Sequence, residues 1–593
     1  SLILRYLDRR SLSIRKTTVP LWWIVKTSVD RRELLSPLSK FYLTTPIYYV
    51  NDVPHIGHSY TTVAADVLAR YHRLKGEDVF FLTGTDEHGQ KILRAAQNRE
   101  ETPETLVDRV VERFKTAWQC LNISNDDFIR TTQPRHTRRV QLIFQKLYEK
   151  GDIYLGDYEG WYCVPCESYW IESELVANTC PECHRPVERL REKNYFFRLS
   201  KYKDRVLKHV ETHPDFIQPE SRRNELCSRL RAGVEDISIS RQGLPWGIPV
   251  PPVSTEQGQT IYVWIDALFN YITALGYDDE TERFQHYWPC DVHLIGKEIL
   301  WFHGAIWPAL LMALELPPPR RIFAHGWWTI EGRKISKSLG NVVDPLTITE
   351  QYGVDAYRYF LLREVPFGLD GNFSYTALAN RINSDLGNDL GNLLLRTLTM
   401  IEKYYGGHVP QPESTPGALD EDKLLMEKVK TLKTLVEREM ESLQFSKALE
   451  AIWDSIAQAN RYIEESKPWV LAREDRQKLS VKLYTLAETL RLIAMYIAPF
   501  MPHTAHEIQQ QLGIPLEEKE QRQSYRWGLL KPSTRVAKGK ALFPRIELSP
   551  QPSPKVENPP SFGSAKGKPF GRANLFAGGE SASGPPKADL PKA

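Results

Sequence analysis

The order of apolar and polar positions changes character several times along the chain, and each change predicts an element. Phe41–Val50 (FYLTTPIYYV) is dense in aromatic and β-branched residues and predicts a strand, which Asn51, Asp52 and Pro54 break. From Gly57 to Leu74 apolar side chains recur at helical spacing, at Val63, Ala64, Val67, Leu68 and Tyr71, and Gly76 closes that helix. Val79–Leu82 predicts a second, buried strand. Strand, helix and strand with a short return make a βαβ unit, and hence a parallel sheet. The same grammar returns with a strand at Val292–Ile295, a helix at Ile299–Leu314 and a strand at Arg321–Ala324. A long stretch separates the halves, so the pattern predicts a parallel α/β fold split by an insertion.

After Asp344 the pattern turns helical. Residues 378–402, 421–444, 446–466 and 476–511 carry apolar side chains at i, i+3/i+4 spacing and predict a helical bundle. The two ends differ from everything between them. Residues 1–39 hold eight Arg and Lys against three acids, which suits an organelle transit peptide, a non-functional extension or a misassigned start. Residues 550–593 are Pro, Gly or Ser at 20 of 44 positions, so a disordered tail is expected there.

Composition narrows the class without naming it. A chain of 593 residues that is 41% apolar and 25% charged reads as a multidomain globular protein. No apolar run reaches the ~20 residues of a membrane helix. The net charge of +3, from 77 basic and 74 acidic residues, says little about partners. Seven cysteines in a chain of this length do not make a secreted disulfide scaffold. Four of them form two pairs, Cys163-x-x-Cys166 and Cys180-x-x-Cys183, separated by 13 residues. That spacing closes a tetrahedral Zn²⁺ site, with Pro165 and Pro181 tightening the turns. The expectation is one structural zinc with no open position; a pair of disulfides is the alternative. Cys120, Cys227 and Cys290 read as ordinary thiols.

Two further motifs carry chemistry. Pro54-His55-Ile56-Gly57-His58 falls where the first strand enters the first helix. A helix N-terminus offers free N–H donors and the positive end of its dipole to an anion, and Gly57 permits close approach. Alone this is a weak signal. Gly332-Arg333-Lys334-Ile335-Ser336-Lys337-Ser338 places two lysines three apart among small residues, as a cationic loop over a triphosphate would. Alone this is a solvated basic turn.

Together, HIGH after the first strand and KISKS after the last resemble the class I aminoacyl-tRNA synthetases, and from about Phe41 to about Pro544 the chain most resembles the bacterial-type methionyl-tRNA synthetases. The resemblance implies a split Rossmann-like parallel sheet with a zinc-binding insertion, then an α-helical anticodon-binding bundle. The implied boundaries are 1–39 extension, 40–133 first catalytic half, 134–261 insertion with the zinc knuckle, 262–326 second catalytic half, 327–377 KISKS and stem-contact region, 378–548 helical domain and 549–593 tail.

It also implies a reaction: methionine and Mg-ATP give methionyl-adenylate and pyrophosphate, and the methionyl group passes to the 3′ end of tRNA(Met). His55, His58, Lys334 and Lys337 are the implied catalytic residues. His55, Gly57, His58, Glu298, Lys334, Ser336 and Lys337 would hold ATP. Ile47, Tyr49, Asp86, Trp264, Tyr271, His303 and Trp307 would hold methionine, Asp86 on its α-ammonium and the aromatic walls around its polarizable thioether. Lys297 and Arg241 are expected charge partners near the site. Cys163, Cys166, Cys180 and Cys183 are the metal ligands; Asn392, Arg396 and Trp469 would read the CAU anticodon. A monomer in a bacterial cytoplasm is expected, with an organelle as the alternative.

Rival readings are sister synthetases, a tRNA-binding adaptor of synthetase descent, and a small nucleotidyltransferase. Synthetases for branched side chains carry an editing domain for which the chain lacks room. A cysteine enzyme would hold zinc in its active site rather than in the insertion. An adaptor would have lost HIGH or KISKS residues. A nucleotidyltransferase leaves the helical half unexplained.

Overall fold

The computed structural model describes residues 39–50, 53–254, 258–278, 282–334, 343–412, 420–514 and 525–547. The expectations for residues 1–38 and 548–593, and those for Ser336 and Lys337, lie outside these.

β1 (Lys40–Thr44) is buried on both faces, as a central parallel strand must be. Pro46 interrupts the predicted strand, so Tyr48–Tyr49 forms a separate short strand, β2. The helix Ile56–Lys75 crosses over the sheet, and Gly76 ends it in the left-handed conformation (φ 87°). β3 (Asp78–Asp86) then runs parallel to β1 with Lys40 opposite Asp78 and Thr44 opposite Leu82. β4 (Asp127–Arg130) follows.

The insertion contributes β5 (Ile153–Cys163), β6 (Ser168–Trp170), β7 (Glu188–Phe197), β8 (Ile217–Gln218), β9 (Ile237–Ser238), β10 (Ser240–Gln242) and β11 (Gln259–Ile261). β6-β5-β7-β9 is an antiparallel sheet carrying the cysteine turns, while β8 reaches back to the edge of the central sheet. The chain then resumes the parallel sheet with β12 (Val292–Gly296) and β13 (Ile322–His325). The central order is β2-β3-β1-β12-β13-β8, with β4 also on β3. β1 pairs with β3 on one side and β12 on the other, so the reversal of strand order falls between the two halves. Ligands of open α/β sheets bind at such a point, beyond the carboxyl ends of the strands. β14 (Trp328–Ile330), β15 (Arg333–Lys334) and β16 (Gly371–Phe373) form a small sheet beside it.

The helix predicted at Ile299–Leu314 is wound in three ways: a 3₁₀ turn at Lys297–Ile299, a π segment at Phe302–Ile306 and an α-helix at Trp307–Ala313. The helix predicted at 378–402 likewise contains a π segment, Ile382–Gly391, between Tyr375–Arg381 and Asn392–Tyr405. π segments gather at functional positions; the five-residue one carries His303 and the ten-residue one ends beside Asn392. The helices Asp420–Glu441 and Phe445–Ser466 match their predicted spans closely. The span 476–511 is two helices, Arg476–Ile497 and Pro502–Gln511, because Pro499 and Pro502 cannot continue the first. No helix among the described residues is long and apolar enough to cross a membrane.

One buried charge joins the two halves of the molecule. Arg358, fully buried, donates to Asp66 Oδ2 (2.6 Å) on the crossover helix and to the carbonyls of Leu121 (3.1 Å), Pro499 (2.9 Å) and Phe500 (2.9 Å). Arg358→Ala strands the Asp66 carboxylate in the core and is expected to cost about 3–5 kcal/mol, read as a lowered urea midpoint.

Candidate active site and zinc knuckle

His55 caps the crossover helix. Its Nδ1 accepts from the Gly57 N–H (3.1 Å), while the His55 N–H donates to His58 Nδ1 (3.3 Å). The two rings stack with centroids 3.8 Å apart. Burial pushes His55 down to about 4, against a smaller upward pull from Glu298. Burial, and then the charges of His55 and Lys91, hold His58 well below its usual value. Both rings are therefore neutral near pH 7. With each Nδ1 accepting, each ring keeps its proton on Nε2, so the motif presents two fixed Nε2–H donors. A methyl on Gly57 would press on the His55 ring at 3.0 Å and disturb that arrangement.

Asp86 ends β3 at the carboxyl edge of the sheet. It is buried, its Oδ1 has no hydrogen-bond partner among the described residues, and burial raises it well above the usual carboxylate range. Asp266, Glu167 and Glu87 add to that rise. A cluster of buried carboxylates with an unpaired oxygen calls for a cation.

The neighbours that shape this cluster were not singled out in the sequence. Asp266 Oδ2 meets His88 Nδ1 and its Oδ1 meets His136 Nε2, both at 2.6 Å. Glu87 accepts from Arg130, Thr85 and Thr132. Glu167 takes the Tyr49 hydroxyl (3.1 Å), the Lys91 N–H (2.7 Å) and the Tyr162 hydroxyl. Signals for them existed only as single acids or histidines inside longer motifs, which spacing cannot rank.

Several of the expected aromatic residues come together. Tyr271, His303 and Trp307 are buried together, and Trp264 stacks on Phe302 at 3.9 Å. His303 Nδ1 donates to the Ile299 carbonyl (3.0 Å), and burial lowers the ring to about 4. Its Nε2 is thus an acceptor, and the Tyr271 hydroxyl donates to it (2.7 Å). His293, on β12, completes the wall: its Nε2 accepts from the Trp307 indole (3.3 Å) and its Nδ1 faces Thr44 (2.8 Å). Ile47 is half-buried and packs against the same core.

The expected charge partners are engaged. Lys297 pairs with Asp370 at 2.7 Å, and Arg241 with Glu192 at 3.1 Å while lying over the Tyr162 ring. Glu298 lies at the end of β12. Lys334 sits on β15, its backbone paired with Thr329.

The four cysteines converge. Cys163 Sγ lies 3.5 Å from Cys183 Sγ and Cys180 Sγ 3.9 Å from Cys166 Sγ, and all four sulfurs fall within 4.8 Å of one another. Disulfide sulfurs would sit about 2.05 Å apart. Sulfurs at the corners of a tetrahedron around zinc, each ~2.3 Å from the metal, would sit about 3.8 Å apart. The cluster therefore fits a structural zinc and not a disulfide. It is also bolted to the aromatic pocket, since the Cys166 carbonyl accepts from the Trp264 indole (3.5 Å) and the next residue is Glu167.

On the helical side, Asn392 is exposed and Arg396 is half-buried and paired with Glu464 (2.6 Å). Trp469 begins a new helix, Pro468–Glu474, instead of ending the previous one, because Lys467 adopts φ 44° and Pro468 restarts the chain. Trp469 is 41% exposed, on a helix in contact with the one bearing Asn392 and Arg396.

Cys180→Ser is expected to lower bound zinc from about one per chain toward zero, as read by elemental analysis. It should also raise the KM for methionine, because Glu167 and Trp264 lose their anchor.

The family model described as tRNA synthetases class I (M) matches residues 41–191 and 185–398, and that described as anticodon-binding domain of tRNA ligase matches 422–532. A methionine–tRNA ligase of Caldanaerobacter subterraneus subsp. tengcongensis is 58% identical over 511 residues, which is 86% of this chain and 79% of the relative. One from Thermotoga maritima is 48% identical over 514 residues, 86% of this chain and 80% of the relative. The Mycobacterium tuberculosis methionyl-tRNA synthetase solved with methionyl-adenylate is 42% identical and superposes with a TM-score of 0.82, over 86% of this chain and 100% of that one. With a fold, a cysteine cluster and relatives that all agree, the chain belongs to the methionyl-tRNA synthetases, the class I methionine–tRNA ligases.

Proposed function

We propose that methionine–tRNA ligation in this chain is divided among three clusters. Residues 40–133 and 262–326 supply the two halves of the catalytic sheet, residues 134–261 the zinc-bearing insertion, and residues 378–548 the tRNA-reading bundle. The observation that carries the reading is the unpaired Asp86 oxygen, buried among further acids at the carboxyl edge of the sheet.

Asp86 takes the methionine ammonium. The apolar side chain lies against Ile47, Tyr49, Trp264, Tyr271, His303 and Trp307. The Tyr271 proton is committed to His303, so selectivity rests on shape and on contact between the thioether and the rings. ATP binds at the N-terminus of the crossover helix. His55 and His58 donate from Nε2 to phosphate oxygens, Gly57 lets the nucleotide approach, and Glu298 accepts from the ribose. Lys334, Ser336 and Lys337 hold the phosphates. Magnesium accompanies ATP and screens the triphosphate.

The methionine carboxylate attacks the α-phosphate in line; the P–O bond to pyrophosphate breaks, and the methionyl-adenylate forms. The carboxylate is already ionised, so no general base is needed. A ribose hydroxyl at the tRNA 3′ end then attacks the activated carbonyl, and AMP leaves. Positioning and electrostatics carry both steps. Asn392 and Arg396 bond the edges of unpaired anticodon bases and Trp469 stacks on one.

Two variants test the division. Asp86→Asn keeps the size of the side chain but removes its charge; the KM for methionine in ATP–pyrophosphate exchange is expected to rise at least about tenfold, with the KM for ATP little changed. An unchanged methionine KM would place the ammonium elsewhere. Trp469→Ala is expected to lower kcat/KM for tRNA(Met) by about 10–100-fold while pyrophosphate exchange stays near normal. Equal loss of both steps would mean a damaged fold.

A further inference from the structure

Three features bear on the carboxylate of Glu298, and two of them centre on Trp327. Glu298 follows β12, and Trp327 follows β13, so the two emerge side by side at the carboxyl edge of the parallel sheet. The Trp327 indole N–H donates to Glu298 Oε2 at 2.6 Å. The indole is itself clamped: Lys297 Nζ lies 4.2 Å over its ring, and Asp370, which pairs with Lys297, accepts the Trp327 backbone N–H at 2.7 Å. The third is a space. A Cβ on Gly296 would lie 2.5 Å from both Glu298 oxygens, so the carboxylate folds back over a backbone that only glycine leaves open. Among the described residues no hydrogen bond reaches Oε1. The charge of Glu298 is felt at His55, which places the carboxylate beside the helix N-terminus assigned to ATP.

We propose that Trp327 is the positioning residue for nucleotide-sugar selectivity: its indole N–H holds Glu298 so that the other carboxylate oxygen accepts from a ribose hydroxyl. A carboxylate on a three-bond side chain is otherwise free to rotate, and a rotating acceptor discriminates poorly between a ribose and a deoxyribose. One oxygen tied down leaves the second with a fixed direction, and a fixed acceptor left unpaired penalises a sugar that lacks the hydroxyl. The inference rests on the ribose role of Glu298, and its test separates the two.

The full, zinc-loaded chain is assayed for pyrophosphate exchange with ATP, 2′-deoxy-ATP and 3′-deoxy-ATP, alongside Trp327→Phe and Glu298→Gln. Trp327 is 42% exposed, so a phenyl ring there removes the donor without opening the core. The unaltered chain is expected to prefer ATP over at least one deoxy analogue by about tenfold or more in kcat/KM. Trp327→Phe is expected to cut that preference to within about threefold, with the methionine KM unchanged. Glu298→Gln should lose the preference as well. If Glu298→Gln loses the preference and Trp327→Phe keeps it, the positioning role of Trp327 is overturned and the ribose role of Glu298 stands. If Glu298→Gln keeps it, the ribose role falls and the proposal with it. An equal loss with all three nucleotides in Trp327→Phe also overturns the proposal, because it signals general distortion.

Discussion

The guanidinium of Arg358 is the constraint on which the rest of the molecule depends. A fully buried cation is tolerable only when it is paired and hydrogen-bonded, and its partners come from three places: Asp66 in the crossover helix, Leu121 at the end of the helix Pro103–Cys120, and the Pro499–Phe500 turn of the helical half. Asp66 in turn holds Arg70 and Ser124. The crossover helix is therefore fixed near its middle to the bundle, while its N-terminus carries His55 and His58. The HIGH motif and the helical bundle share one rigid element, and its position is dictated by the need to satisfy one charge.

The same accounting governs the active site with the opposite sign. Around Asp86 the fold concentrates carboxylates and leaves one oxygen unpaired, so the site is electrostatically incomplete until a cation arrives. At the N-terminus of the crossover helix it does the reverse. Burial keeps His55 and His58 neutral near pH 7, so these rings offer directed hydrogen bonds whose tautomers the backbone has already set. Positive charge there is left to the helix N-terminus.

The zinc knuckle belongs to this arrangement. Glu167, the residue after the second cysteine, holds Tyr49 and the Lys91 backbone, and its carbonyl accepts from Tyr262. The Cys166 carbonyl holds Trp264. The cysteine turn therefore fixes Tyr49, Tyr262 and Trp264 from outside the catalytic sheet.

Much of this was legible in the residues themselves. Alternation, helical spacing, the glycine and proline breaks, and CxxC pairs act over a few residues, so local sequence determined the βαβ units, the capped crossover helix, the bundle helices and the cysteine turns. The cap that His55 makes on the crossover helix is local too. The π segments at Phe302–Ile306 and Ile382–Gly391, the break of the first strand at Pro46 and the restart at Pro468 were displaced from the simple pattern by packing and by backbone geometry. What only the tertiary structure decided was partnership across the chain. Asp266 with His88 and His136, His293 with Trp307, Glu298 with Trp327, and Arg358 with Asp66 join residues 14 to 292 positions apart. In sequence each is one charged or aromatic residue among many; a desolvated charge or an unmet hydrogen bond acquires its energy only when the fold removes water and supplies, or withholds, the partner.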